Sequence, residues 1–202
     1  MRLERLYPKL FLMLKVILCT LYISLTHLTF AQDIIEWSPT YQLAKSDFQL
    51  KAPNSGTSQR YYAACQMDFS YQMSQYEFMF TKNFNRFARA IFNRKASWLD
   101  DGPLADRLIN MAQLDFDLVE LYTRKIRKRM FDEKRAFSNM DFYKQAVNDT
   151  QTLYSERLAQ IVQATDGGQS EVRIREIHEQ IVREINALDE YCKECRPGRK
   201  KS

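Results

Sequence analysis

From Gln59 to Phe80 apolar and aromatic residues alternate with polar ones, and Cys65, Met67, Phe69 and Tyr71 fall on one parity. Side chains of an extended chain point to alternate faces, so this spacing predicts a half-buried strand. A second strand is expected over Tyr76 to Phe80. A third is expected over Phe87 to Phe92, leading into Ser97 and Trp98, and Asp33 to Ser38 reads as a short edge strand. Pro53-Asn54-Ser55-Gly56 marks a turn. After Asp101-Gly102-Pro103 the period changes: Ile109, Ala112, Phe116, Val119, Thr123, Ile126 and Met130 recur at spacings of three and four. That is the repeat of an amphipathic helix with one buried stripe. It is expected over 103–131, with Asp101 as its cap and Pro103 in its first turn. A second helix is expected over Asp141 to Ala164, broken by Asp166-Gly167-Gly168, and a third from Glu171 to about Tyr191 carrying Ile174, Ile177, Ile181 and Ile185. Strands first and helices afterwards predict an α+β fold, a small antiparallel sheet followed by three helices.

The ends of the chain differ from this body. Residues 1–31 read as a secretory signal peptide: Arg2, Arg5, Lys9 and Lys15 precede an apolar run from Val16 to Phe30, and Thr29-Phe30-Ala31 offers a cleavage site before Gln32. The domain is then expected over 32–191, with a basic, cysteine-containing tail over 192–202. The leader's four basic residues and Glu4 account for +3 of the formal +5. Arg196, Arg199, Lys200 and Lys201 add four positive charges at the other end, so the body is close to neutral. The alkaline pI of 9.0 is a property of the ends and is no argument for nucleic-acid binding. Roughly 170 residues remain after the leader, enough for one domain with a real core, and five glycines in 202 residues speak against extended disorder.

Residues 108–129 carry the chemical question. Phe92, Ser97 and Trp98 precede a helix in which Gln113, Phe116, Asp117, Glu120, Leu121, Arg124, Arg127 and Lys128 are set at fixed spacings. This pattern resembles domain-of-unknown-function family 922, exported bacterial proteins regarded as zinc-dependent peptidases. There an F-x-x-x-x-S-W stretch precedes a helix carrying His-Glu-Gln-x-His-Phe-Asp, a Glu-Leu and an Ala-Arg-x-Leu-Arg-Lys ending. The Ser-Asp-Phe at 46–48 is similar to the family's x-W-x-D-F opening without its tryptophan, and Thr165 to Glu171 stands where the family has Tyr-Asp-x-x-Thr-x-His-Gly, matching at Asp166 alone. The resemblance implies a zincin-like helix at 103–131. The catalytic letters depart from it. Met111 and Asp115 stand at the two histidine positions and Ala112 at the position of the general-base glutamate. A zincin needs two imidazoles at i and i+4 and a carboxylate beside the first to take a proton from bound water. Thioether sulfur is a poor zinc ligand and alanine accepts no proton. His27 lies in the leader, so His178 is the one histidine of the mature chain.

The remaining candidates have plain structural readings. Asp115 is expected to be partly buried and paired with an arginine or lysine, since an unpaired buried charge is costly. Asp117 and Glu120 are read as surface or structural residues. The run Arg124, Lys125, Arg127, Lys128, Arg129 is read as a solvated face at a helix C-terminus. His178 is read as an exposed histidine on a polar helix. Cys65, Cys192 and Cys195 allow three pairings in an oxidising compartment. A bridge from Cys65 to the tail, fastening the last helix to the sheet, is the first expectation. A Cys192-x-x-Cys195 redox pair, or a zinc knuckle of the three thiols with His178, is the alternative.

These readings add up to an exported protein, periplasmic or secreted, expected to act as a non-catalytic binding or structural protein of the envelope. No cofactor is expected; the expected partner is another protein or an envelope component rather than nucleic acid, and the membrane is expected to be met only through the signal peptide during export. Two alternatives stand beside it: an active hydrolase whose metal site is rebuilt from Asp115, Glu120 or another chain, and a thiol or zinc module in the tail.

Overall fold

The computed structural model describes residues 33–53, 60–69, 74–134, 138 and 140–198. The leader, the turn at Asn54 to Gly56, Tyr71 and the last basic residues from Arg199 lie outside the described residues.

Strand β4 (Ala88–Asn93) is the centre of a three-stranded antiparallel sheet, flanked by β1 (Ile34–Glu36) and β3 (Cys65–Phe69). Ala90, Ile91 and Phe92 are buried, as a central strand covered on both sides requires. The register sets Cys65 opposite Phe92 and Met67 opposite Ala90, and Cys65, Met67 and Phe69 all pack on the core as their shared parity predicts. A two-residue ladder joins β2 (Tyr61–Tyr62) to β5 (Trp98–Leu99). Ser97 ties the two sheets together: its Oγ donates to Asn93 O at 2.6 Å and accepts from Ala64 N at 2.9 Å.

The strand expected over Tyr76 to Phe80 is instead a helix, α1 (Gln75–Phe80). Ser74 Oγ accepts from Glu77 N at 3.1 Å while Glu77 Oε2 accepts from Ser74 N at 2.8 Å, a capping box whose Ser-x-x-Glu spacing outweighs the aromatic alternation. A strand would have put Tyr76, Phe78 and Phe80 on one face. The helix buries Phe78 against Phe84 and Tyr143 and leaves the other two exposed.

Three long helices follow: α2 (Ala105–Glu133), α3 (Met140–Ala164) and α4 (Glu171–Ala187). The fold is α+β as expected. Asp101 does not cap α2. Leu104 holds the N-cap position without a side-chain bond, and Asp101 pairs with Lys45 at 2.6 Å. Between α3 and α4 the chain reverses through Asp166, Gly167 and Gly168, all with positive φ, so a left-handed stretch ends α3 where glycines relieve the steric cost.

Helix α2 packs against β3 and β4 on one side and against α3 and α4 on the others. The expected single stripe is too narrow a description. All fourteen residues from Met111 to Arg124 are buried, polar ones included. A helix enclosed all round is normally apolar all round. This one carries Gln113, Asp115, Asp117, Glu120, Thr123 and Arg124 into the interior, and each needs a partner.

Candidate functional site

The N-terminal end of the buried stretch of α2 is closed. Met111 and Ala112 are 0% exposed. The α3–α4 turn lies over Met111: Thr165 Oγ1 is 3.8 Å from its sulfur, and a Cβ built on Gly168 would stand 3.4 Å from its Cγ. The turn therefore packs directly on α2 here, through a hydroxyl–sulfur contact and the close approach of Gly168. Phe116 fills the same core, its ring 6.0 Å from that of Phe92.

One turn further on, Asp115 has a different environment. Its Oδ1 accepts from Tyr154 Oη on α3 at 2.7 Å, and the Cys65 thiol of β3 faces the same carboxyl. Among the described residues no arginine or lysine pairs with it, contrary to the expected ion pair. Burial without a counter-charge pushes its pKa up to about 7, against the downward pull of Tyr154 and Cys65. Burial and the facing carboxyl also hold the Cys65 thiol and the Tyr154 phenol well above their ordinary values. Both effects disfavour the Cys65 thiolate. Asp115 opens on a cavity of about 640 Å³ whose walls include Tyr61, Tyr62, Leu104, Leu108, Leu158 and Val162.

Asp117 is turned to another side of the helix and is fully engaged. Trp37 Nε1 donates to its Oδ1 at 2.6 Å, Gln113 Nε2 donates to the same oxygen at 3.2 Å, and His178 Nε2 of α4 lies 2.7 Å from Oδ2. Gln113 Oε1 accepts from Leu43 N at 2.8 Å, so the Gln-x-x-x-Asp spacing fastens the segment after β1 to α2. His178 is not the free exposed residue expected. Its hydrogen bond to Asp117 raises its pKa above 6.5, outweighing partial burial.

The last polar group is a buried ion network. Glu120 Oε1 accepts from Arg124 Nε at 2.7 Å and Arg127 Nη1 at 3.2 Å. Arg127 also reaches Ala88 O of β4 through Nη2 at 2.6 Å and Tyr191 O through Nη1 at 2.9 Å, and Arg124 Nη1 reaches Ile185 O at 3.0 Å. Arg124 further covers the Trp37 ring, 5.5 Å from its centroid. The expectation of a solvated basic face therefore fails at these two positions: Arg124 is 6% and Arg127 1% exposed. Lys128 does face outward and pairs along the helix with Asp132, while Arg129 is half-buried and pairs both with Glu133 and with Asp149 of α3.

The cysteine expectation is also corrected. Cys192 bonds to Cys195, with Cα atoms 5.1 Å apart, and Cys65 is free. The tail is fastened to the sheet by polar contacts rather than a bridge from Cys65: Cys195 O accepts from Asn83 Nδ2 and Asn85 Nδ2, and Lys193 pairs with Glu36 at 2.5 Å. Among the described residues no three His, Cys, Asp or Glu side chains converge as a metal-holding group. Neither Asp115 with Glu120 nor the three thiols with His178 makes one.

Of the residues singled out in sequence, Asp115, Asp117, Glu120 and Arg124 do share one buried helix, but they serve three separate environments. Tyr154, Tyr61 and Trp37 complete those environments and carry no sequence signal of their own, since each meets its carboxylate or cavity across a long separation. Compared with known proteins, the chain matches no family model, no curated protein and no solved structure.

Proposed function

We propose that this chain is an exported, non-catalytic binding protein of the cell envelope, built on a zincin-like scaffold whose metal-binding positions serve other ends. The observation that carries the reading is the contrast between adjacent turns of α2. Met111 lies sealed beneath the α3–α4 turn, with a thioether where an imidazole would be needed. Asp115, at the second position, instead faces a cavity of ligand size. Ala112 supplies no base at the position where the resemblance would put the glutamate. Burial of Arg124 and Arg127 removes two cations from any phosphate-binding face and supports the absence of a nucleic-acid partner. Export rests on the leader, and among the described residues no helix is long and apolar enough to cross a membrane. Metal analysis of the purified protein with a peptide-cleavage assay tests the reading. Substoichiometric zinc and no cleavage are expected; cleavage abolished by a chelator would overturn it.

One observation favours a second reading. Cys192 and Cys195 are joined in a C-x-x-C disulfide on the half-exposed tail, the arrangement of a thiol–disulfide exchanger. Catalysed reduction of a disulfide substrate with dithiothreitol as the electron donor, lost in Cys192→Ser, would support it over the binding reading.

A further inference from the structure

We propose that the cavity at Asp115 binds a protonated primary amine bearing an apolar or aromatic group, with Asp115 as its counter-charge. The assignment deepens the binding-protein reading and rests on it. The cavity holds about 640 Å³, within the range of small-molecule sites. Tyr61, Tyr62, Leu104, Leu108 and Leu158 give it aromatic and aliphatic walls, suited to a hydrocarbon body and to a cation near a ring face. Its one buried charge is Asp115, 8% exposed and held in place by Tyr154 and Cys65.

Among the described residues that carboxylate has no partner cation. The groups facing it from the packed elements are Cys65 of β3, Tyr61 beside β5 and Tyr154 of α3, all held neutral. Arg60, the one basic residue of the cavity lining, is engaged at the surface with Asp100 at 3.0 Å. An anionic ligand would meet repulsion. A hard divalent cation would want several oxygen donors, and one carboxylate with a phenol does not supply them. An ammonium group needs one carboxylate and a hydrogen-bonding neighbour, both of which stand at the floor. It also supplies the charge whose absence makes burial of Asp115 costly.

A free amine and a peptide N-terminus share this chemistry, and one experiment separates them. Phenethylamine, the neutral isostere 2-phenylethanol and phenylalanyl-alanine amide are titrated by calorimetry into the purified protein at pH 8, and into its Asp115→Asn variant. Asn keeps the shape and can still accept from Tyr154, so the variant folds. At least one amine is expected to bind ten-fold or more tighter than the alcohol, to lose that margin in Asp115→Asn, and to weaken about ten-fold for each pH unit below 7 as the carboxyl takes its proton. Binding of phenethylamine points to a free amine, and binding of the dipeptide alone to a chain terminus. Equal binding of alcohol and amine, no binding of either amine, or an unchanged affinity in Asp115→Asn overturns the proposal. None of those outcomes touches the non-catalytic reading, which fails instead if the dipeptide or a longer peptide is cleaved in a chelator-sensitive way.

Discussion

Asp115 and Glu120 lie five residues apart on one buried helix, and the fold treats their charges in opposite ways. Glu120 is met by two guanidiniums, which in turn are satisfied by the carbonyls of Ala88, Ile185 and Tyr191. Its network joins β4, α2 and the end of α4. Asp115 is met by a phenol, a thiol and open space. The lesson is that burial alone does not say whether a carboxylate is structural: what matters is whether its charge is answered from within the chain. Glu120→Ala is the harshest test of the contrast. It leaves Arg124 and Arg127 buried without an anion, and removing one partner of such a group costs roughly 3–5 kcal/mol. Urea denaturation should show a loss of that size. A loss under about 1 kcal/mol would mean that the carbonyls alone satisfy the arginines and that Glu120 is as dispensable to the fold as Asp115.

The opposite result is expected at the other end. The Asp115 pKa rises from 3.8 to about 7 on folding, so the folded chain binds a proton that the unfolded chain releases. Stability therefore falls as the pH rises from about 4 to 7 and levels off above. Asp115→Asn removes that slope. The variant should be close to wild type in stability near pH 4 and more stable above pH 7, by on the order of 2–4 kcal/mol. Denaturation at stepped pH measures it. A variant that is less stable at pH 8 would show that the carboxylate is answered by a charge after all, and the comparison with Glu120 would collapse.

Much of the fold was legible. The period-two parity of Cys65, Met67 and Phe69, the three-and-four spacing along α2 and the break at Asp166-Gly167-Gly168 each express local backbone geometry, and each stands close to where it was expected. The failures have two causes. At Tyr76 to Phe80 a local capping signal competed with a local alternation, and two hydrogen bonds decided for the helix. Along α2 the polar residues looked exposed because their partners are remote: Trp37 reaches Asp117 across 80 residues and Tyr154 reaches Asp115 across 39. No periodicity encodes such contacts. The site was therefore legible as a set of helix positions and illegible as three environments, and the pairing of Cys192 with its near neighbour rather than Cys65 is the same kind of long-range question, resolved locally.

Asp117 stands between the two extremes and gives the smallest effect. Three donors meet it, one of them His178, whose pKa is raised above 6.5 by that hydrogen bond. The contribution of His178 is fully present below pH 6.5 and declines as the pH rises through the folded pKa. The neutral ring can still donate from Nε2, so only the charge-assisted part is lost. With the His178 side chain 36% exposed, solvent screens that part to about 0.5–1 kcal/mol. His178→Gln should cost that much at pH 6 and little at pH 9, and the imidazole resonances of the wild type should titrate above 6.5. The two groups thus lower stability in the same direction but in different windows, Asp115 from about pH 4 to 7 and His178 above. Asp115→Asn combined with His178→Gln should flatten both. If the upper slope survives the second substitution, the His178–Asp117 contact carries no charge, and Asp117 is satisfied by Trp37 and Gln113 alone.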